Sequence, residues 1–220
     1  MVSCLCVVAI VLGSFGTAGA ARRQVAHFTG AAADVQFSTC GSVADGELCA
    51  FTLVYASNDR VTLDPSEDVG PCLFIEHIVG RRDGPRGLYT VSDQIGRACD
   101  TVRITVPRSL NFATVTGTVP TQTCIWGTPD PCKDSGSVTM DLRWQPNGRL
   151  KSSAPTTIRY PDYEMGLPCV YHQGRLTTRR AIASGAIPEF GPLGRVVPGT
   201  ASLHAGNLTF IGQNVFACID

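Results

Sequence analysis

Val138-Thr139-Met140-Asp141-Leu142-Arg143-Trp144 alternates without a break between apolar and polar side chains. A period of two belongs to an extended strand, whose successive side chains leave on opposite faces. Val138, Met140, Leu142 and Trp144 should therefore face a core while Thr139, Asp141 and Arg143 face water. Working outward, similar short runs recur at 34–39, 49–56, 72–79, 87–91, 102–106, 110–119, 156–160, 169–177, 180–187 and 208–217. The chain's 23 Gly and 14 Pro punctuate these runs, and no window of a dozen residues keeps helical spacing without a Gly or Pro break. Short strands separated by turns predict an all-β fold of antiparallel sheets, packed face to face as a β-sandwich.

The strands are interleaved with cysteines in a recurring order. A close pair, then a Pro-Cys, then an Ala-Cys appears as Cys40 and Cys49, Cys72, Cys99, and again as Cys124 and Cys132, Cys169, Cys218. Phe28 precedes Cys40 by the same twelve positions as Phe112 precedes Cys124, and Val35-x-x-x-Thr39-Cys40 matches Val119-x-x-x-Thr123-Cys124. PSEDVGPC (65–72) likewise parallels PDYEMGLPC (161–169). Duplication is the economical explanation and predicts two tandem disulfide-stapled modules, residues 21–115 and 116–220. The later cysteine spacings differ between the halves, so a single unit is the other possibility. The repeat implies Cys40–Cys49, Cys72–Cys99, Cys124–Cys132 and Cys169–Cys218 bridges among the many connectivities open to eight cysteines.

Residues 1–20 carry no charged side chain, and the apolar run Leu5–Leu12 leads to Ala18-Gly19-Ala20. This is the pattern of a signal peptide cleaved after Ala20, with an apolar run far shorter than the roughly 20 residues of a membrane span. A secreted, extracellular location with no membrane span after cleavage agrees with the even set of cysteines. Basic and acidic side chains balance at 18 each, and the sequence pI is about 6.9, which leaves no broad footprint for nucleic acid. Among the basic residues, only Lys133 and Lys151 are lysines. Arg81-Arg82 with Arg86, and Arg179-Arg180, are the clusters whose guanidinium forks could hold an anion. A GC-rich genome accounts for the arginine bias, and a solvated turn for residues 81–87.

SVTMDLRWQPNGRLKSS (137–153), IRYPDY (158–163), GRLTTRRAIASGAI (174–187) and ASLHAGNLTFIG (201–212) follow one another in the second half. Together they resemble the C-terminal portion of a group of uncharacterised secreted proteins of high-GC, actinobacterial-type bacteria. FTLVYASNDRV (51–61) and LFIEH (73–77) are similar to that group's N-terminal half. The resemblance implies secretion and a β-rich fold; the group brings no known activity, cofactor or site residue with it, and this chain carries more cysteines.

Catalytic signatures are missing: there is no G-x-S-x-G, H-E-x-x-H, G-x-x-x-x-G-K-[ST] or G-x-G-x-x-G. With no C-x-x-C and no EF-hand pattern around Asp64, Glu67, Asp68, Asp130 or Asp134, neither metal nor cofactor is expected. Of the histidines His27, His77, His172 and His204, each reads first as a surface or half-buried side chain, and Glu76 and His77 would point to opposite faces. Asp162 and Glu164 are the sharpest acid/base candidates. Two positions apart on an extended segment, they would sit about 7 Å apart on one face, between the separations of retaining and inverting glycosidases. Trp126, Tyr160, Tyr163 and Tyr171 could stack on sugar faces, or line the edges of a sandwich with their hydroxyls bonded. Asn207-Leu208-Thr209 matches a glycosylation acceptor, which matters only in a eukaryotic secretory pathway.

These residues predict a secreted, non-catalytic binding or extracellular structural protein with a glycan or extracellular protein partner. The alternative is a secreted hydrolase using Asp162 or Glu164 with His172.

Overall fold

The alternation at 138–144 is realised as burial. Val138, Met140, Leu142 and Trp144 are at most 1% exposed, while Thr139, Asp141 and Arg143 lie in solvent. They belong to one of the strands of a computed structural model that describes residues 24–43, 46–58, 60–63, 68–69, 71–82, 88–125, 131–160, 169–197 and 199–212. In chain order the strands are β1 (Gln24–Val43), β2 (Gly46–Ser57), β3 (Arg60–Leu63), β4 (Asp68–Val69), β5 (Cys72–Arg82), β6 (Leu88–Ala98) and β7 (Val102–Thr105). They continue as β8 (Ala113–Cys124), β9 (Cys132–Pro146), β10 (Lys151–Ser152), β11 (Thr156–Tyr160), β12 (Cys169–Gln173), β13 (Thr177–Ala186) and β14 (Thr200–Gly212). A short 3-10 helix, Pro188–Gly194, separates the last two. Among the described residues no helix is long and apolar enough to cross a membrane.

Among the described residues all strand pairings are antiparallel and join into one 14-stranded sheet. Its path β14-β13-β9-β8-β6-β5-β2-β1 returns to its start because β1 also pairs with β14, from Gln24↔Gly212 to Gln36↔Thr200. Those eight strands form a closed barrel, which removes the sheet edges that a strand ladder otherwise leaves open. The antiparallel all-β fold matches expectation. Where packed pairs of sheets were expected, the hydrogen bonding forms one ring; alternation specifies which face of a strand is buried but not which strand lies beside it. Residues 21–115 and 116–220 each contribute a meander to the ring, β1-β2-β5-β6 and β8-β9-β13-β14. The boundary at 115/116 falls inside β8, and both halves feed one core.

That core interleaves Val35, Phe37, Val54, Leu73 and Ile75 from the first half with Val119, Met140, Leu142, Trp144 and Leu203 from the second. An eight-stranded barrel has an interior just wide enough to be filled by such side chains. Trp144 donates its indole Nε1–H to the Asp34 carbonyl 2.8 Å away, tying β9 to β1 through the interior. The 3-10 helix packs against β1, β2 and β9 and lays Phe190 on the His77 ring at a centroid distance of 3.8 Å.

Among the described residues three disulfides are present, Cys40–Cys49, Cys72–Cys99 and Cys124–Cys132. They are the pairs that the repeat implies. The first and third join directly opposed residues of β1–β2 and of β8–β9, and the second ties the start of β5 to the turn after β6. Of the fourth implied pair, Cys169 opens β12 and Cys218 lies outside the described residues, as do residues 1–20, expected to be a leader, and the carboxylates Asp64, Glu67 and Asp130.

Candidate functional site

The polar surface with the richest chemistry is on the outside of the barrel, where β2, β1, β14 and β13 lie side by side. Over residues 31–37 of β1 and 201–205 of β14 the odd positions face inward: Ala31, Ala33 and Val35 are buried, as are Ala201, Leu203 and Ala205. Even positions therefore face outward, and the strand register sets them in rows. One row reads Tyr55, Asp34, Ser202, Arg180; the next reads Ser57, Ala32, His204, Thr178, Lys151.

Within these rows Ser202 Oγ donates to Asp34 Oδ1 at 2.5 Å, and His204 Nδ1 lies 3.5 Å from the same oxygen. The Tyr55 ring stacks on His204 with centroids 5.9 Å apart. Serine, aspartate and histidine meet here, but the carboxylate stands between the other two. A nucleophilic triad needs the imidazole between serine and carboxylate, so this order does not make Ser202 a nucleophile.

Ser202 also borders a recess of about 400 Å³, lined further by Asn147, Gly148, Arg149, Lys151, Thr178, Arg179 and Arg180. Its wall is the chain between β9 and β10, held to β13 at both ends. Asn147 N–H donates to the Arg180 carbonyl at 2.8 Å, and Lys151 and Ser152 pair with Thr178 and Thr177. Arg179 is the clamp: its Nε donates to the Gly148 carbonyl at 2.9 Å and its guanidinium reaches the Leu110 carbonyl at 3.3 Å and Asn111 Oδ1 at 3.4 Å. Gly148 lets this wall sit close on β13, since a Cβ there would stand 3.3 Å from Arg180 Cβ. Among the described residues no acidic side chain lines the recess, and none pairs with Arg149, Lys151 or Arg180. Unneutralised cations converging on a concave surface create a positive field that attracts an anion.

The residues singled out in the sequence are distributed differently. Asp162, Glu164, Trp126, Tyr163 and Arg86 lie outside the described residues. Tyr160 ends β11 opposite Cys169. Tyr171 and His172 are neighbours on β12 and leave on opposite faces. Tyr171 donates its hydroxyl to Gln173 Oε1 at 3.0 Å, while exposed His172 places Nδ1 2.9 Å from Thr157 Oγ1. His27 mirrors it across β14, with Nδ1 3.0 Å from Thr209 Oγ1. Of the arginine clusters, Arg179-Arg180 lines the recess. The sequence reading passes over Asp34, Tyr55 and Ser202 and names the remaining member only as a surface or half-buried histidine, His204. The alternation Thr200-Ala201-Ser202-Leu203-His204-Ala205, small apolar against polar, was the available signal for the last two.

Candidate metal ligands reduce to Cys40, Glu47 and Cys49 among the described residues, and both sulfurs of that group are spent on the disulfide.

No family model matches the chain, and no curated protein matches it. Among solved structures, it is similar to the enduracididine biosynthesis enzyme MppR complexed with the condensation product of pyruvate and imidazole 4-carboxaldehyde, at 12% identity over 86% of this chain and 87% of that one, with a TM-score of 0.24. The same enzyme complexed with pyruvate matches at 11% identity over 86% and 88%, with a TM-score of 0.22. At that level of similarity neither its chemistry nor its site transfers to this chain.

Proposed function

We propose that this is an exported, non-catalytic binding protein that holds an anionic extracellular ligand, a carboxylated glycan, in the recess between the 147–151 segment and β13. The observation that carries the reading is the cation set Arg149, Lys151 and Arg180, with Arg179 pinned behind it and, among the described residues, no carboxylate in the lining. Export is supported by the leader-like residues 1–20 and by disulfides of a kind that persists in oxidising compartments. The two meanders, each stapled across its first hairpin, are in keeping with duplication of an ancestral half.

The test compares oligogalacturonate with the same oligomer after methyl esterification, which removes charge and keeps the sugar. The acid should bind the mature oxidised protein and the ester should not, with affinity falling as salt screens the exposed cations. An R149A/R180A double variant of unchanged thermal stability should lose at least tenfold in affinity. Equal binding of acid and ester would overturn the reading.

A further inference from the structure

Ser202 narrows the ligand further. A serine hydroxyl has one proton to donate and two lone pairs to accept with. Its proton is committed to the Asp34 carboxylate at 2.5 Å, an acceptor-only group held in place from several sides. Asp34 is directly opposed to Ser202 across β1–β14, its Oδ1 faces His204 Nδ1, and its backbone carbonyl accepts the Trp144 indole proton. On the recess side, Ser202 therefore offers only acceptor capacity. No donor among the described residues bonds to it, although Arg180 stands opposite it on β13.

We infer that the recess takes its anion as part of a sugar acid, in which a neutral donor, a ring hydroxyl, bonds to Ser202 while the carboxylate meets Arg149, Lys151 and Arg180. The inference rests on the reading of the recess as an anion site. A cationic donor is excluded beside so many fixed positive charges, which leaves neutral ones. A bare carboxylate, sulfate or phosphate satisfies the cations but leaves the Ser202 lone pairs unmet. The approximate volume of 400 Å³ is at the lower end for ligand pockets and suits one end of a chain of such sugars. Asp34 acts as a positioning residue: it touches no ligand and sets which way the serine proton points.

Titration of the isotopically labelled mature protein by NMR with D-galacturonate, cyclohexanecarboxylate and D-galactose separates the two ideas. Galacturonate should bind about five- to tenfold more tightly than cyclohexanecarboxylate, the span set by one hydrogen bond, and galactose weakest. S202A should bring galacturonate down to the cyclohexanecarboxylate value. D34A, which releases the serine proton, should shrink the same ratio from a residue that does not line the recess. Equal binding of the two carboxylates, or a ratio that survives S202A, overturns the hydroxyl contact while sparing the cationic recess. Failure of both carboxylates to bind overturns the recess as well.

Discussion

His77 is the residue whose surroundings speak most directly to stability. It sits inside the barrel at 4% exposure, with Nδ1 2.8 Å from Thr52 Oγ1 and Phe190 stacked on its ring. Burial disfavours the charged imidazolium and lowers its pKa from 6.5 to about 4. The folded chain thus binds this proton less readily than the unfolded chain does. Its contribution is whole above pH 6.5 and is lost as pH falls from there through 4, a loss of about 3 kcal/mol. Urea unfolding between pH 7.5 and 4 should show this decline, and His77→Leu should flatten it. Thr52→Val leaves the ring nitrogen without its partner and should cost about 1–3 kcal/mol at neutral pH. Glu76, one position before it and facing outward between Leu53 and Ile95, shows the opposite sign. Desolvation, and then the charge of Asp93, raise its pKa, so the folded state favours the protonated form. That preference stabilises the fold in acid and is lost as pH rises through the folded pKa, leaving the ionised group a net cost at neutral pH. Glu76→Gln should therefore raise the melting temperature at pH 7 and do little at pH 4.

At the scale of elements, the staples and the tight turns decide how firmly each hairpin holds. Cys40–Cys49 and Cys124–Cys132 span 9 and 8 positions, whereas Cys72–Cys99 spans 27. On the chain-entropy account the short loops are worth about 2.5 kcal/mol each and the long one about 3.5 kcal/mol. Paired Cys→Ser variants should follow that order, with C72S/C99S the most damaging in urea midpoint. Gly185 on β13 holds φ at +130°, and a Cβ there would lie 2.2 Å from the Asp141 carbonyl oxygen on β9. Gly185→Ala should cost about 1–3 kcal/mol, read by thermal unfolding. How legible these elements were depends on what each strand packs against. β9 alternates cleanly because one face meets the core and the other meets water, so its inward row was readable residue by residue. β1 was readable only at 34–39, yet it runs from Gln24 to Val43. Its middle, Ala31-Ala32-Ala33, is covered on both faces, and small residues buried on both sides show no period. The alternation marks β14 only from 208, eight positions into the strand, because Ala201 and Ala205 are weak apolar markers. Asp34, Ser202 and His204 lie on those poorly marked stretches or at their edge, so the pattern does not mark the cluster, whereas Arg179-Arg180 stands out as a charge pair.

For the molecule as a whole, closure is the long-range event. The β1–β14 ladder joins residues near opposite ends of the described chain, and β6–β8 seals the other junction between the two meanders. Among the described residues the two halves share one core: Trp144 on β9 is bonded to the β1 backbone, and Val35, Leu73 and Ile75 pack in the same cluster as Met140 and Leu203. A separated half would expose that apolar surface and two open strand edges, the condition under which sheets aggregate or recruit another copy. Chains of 21–112 and 113–220, made apart and oxidised, should therefore each lack dispersed amide resonances and a cooperative unfolding transition. Mixed under refolding conditions, they should recover both, because the two junction ladders supply their pairing and the shared core its driving force. Either half giving a sharp, concentration-independent transition alone would mean that the staples and local pairs suffice for each meander. The ring closure would then be docking of two finished units and not the step that makes them fold.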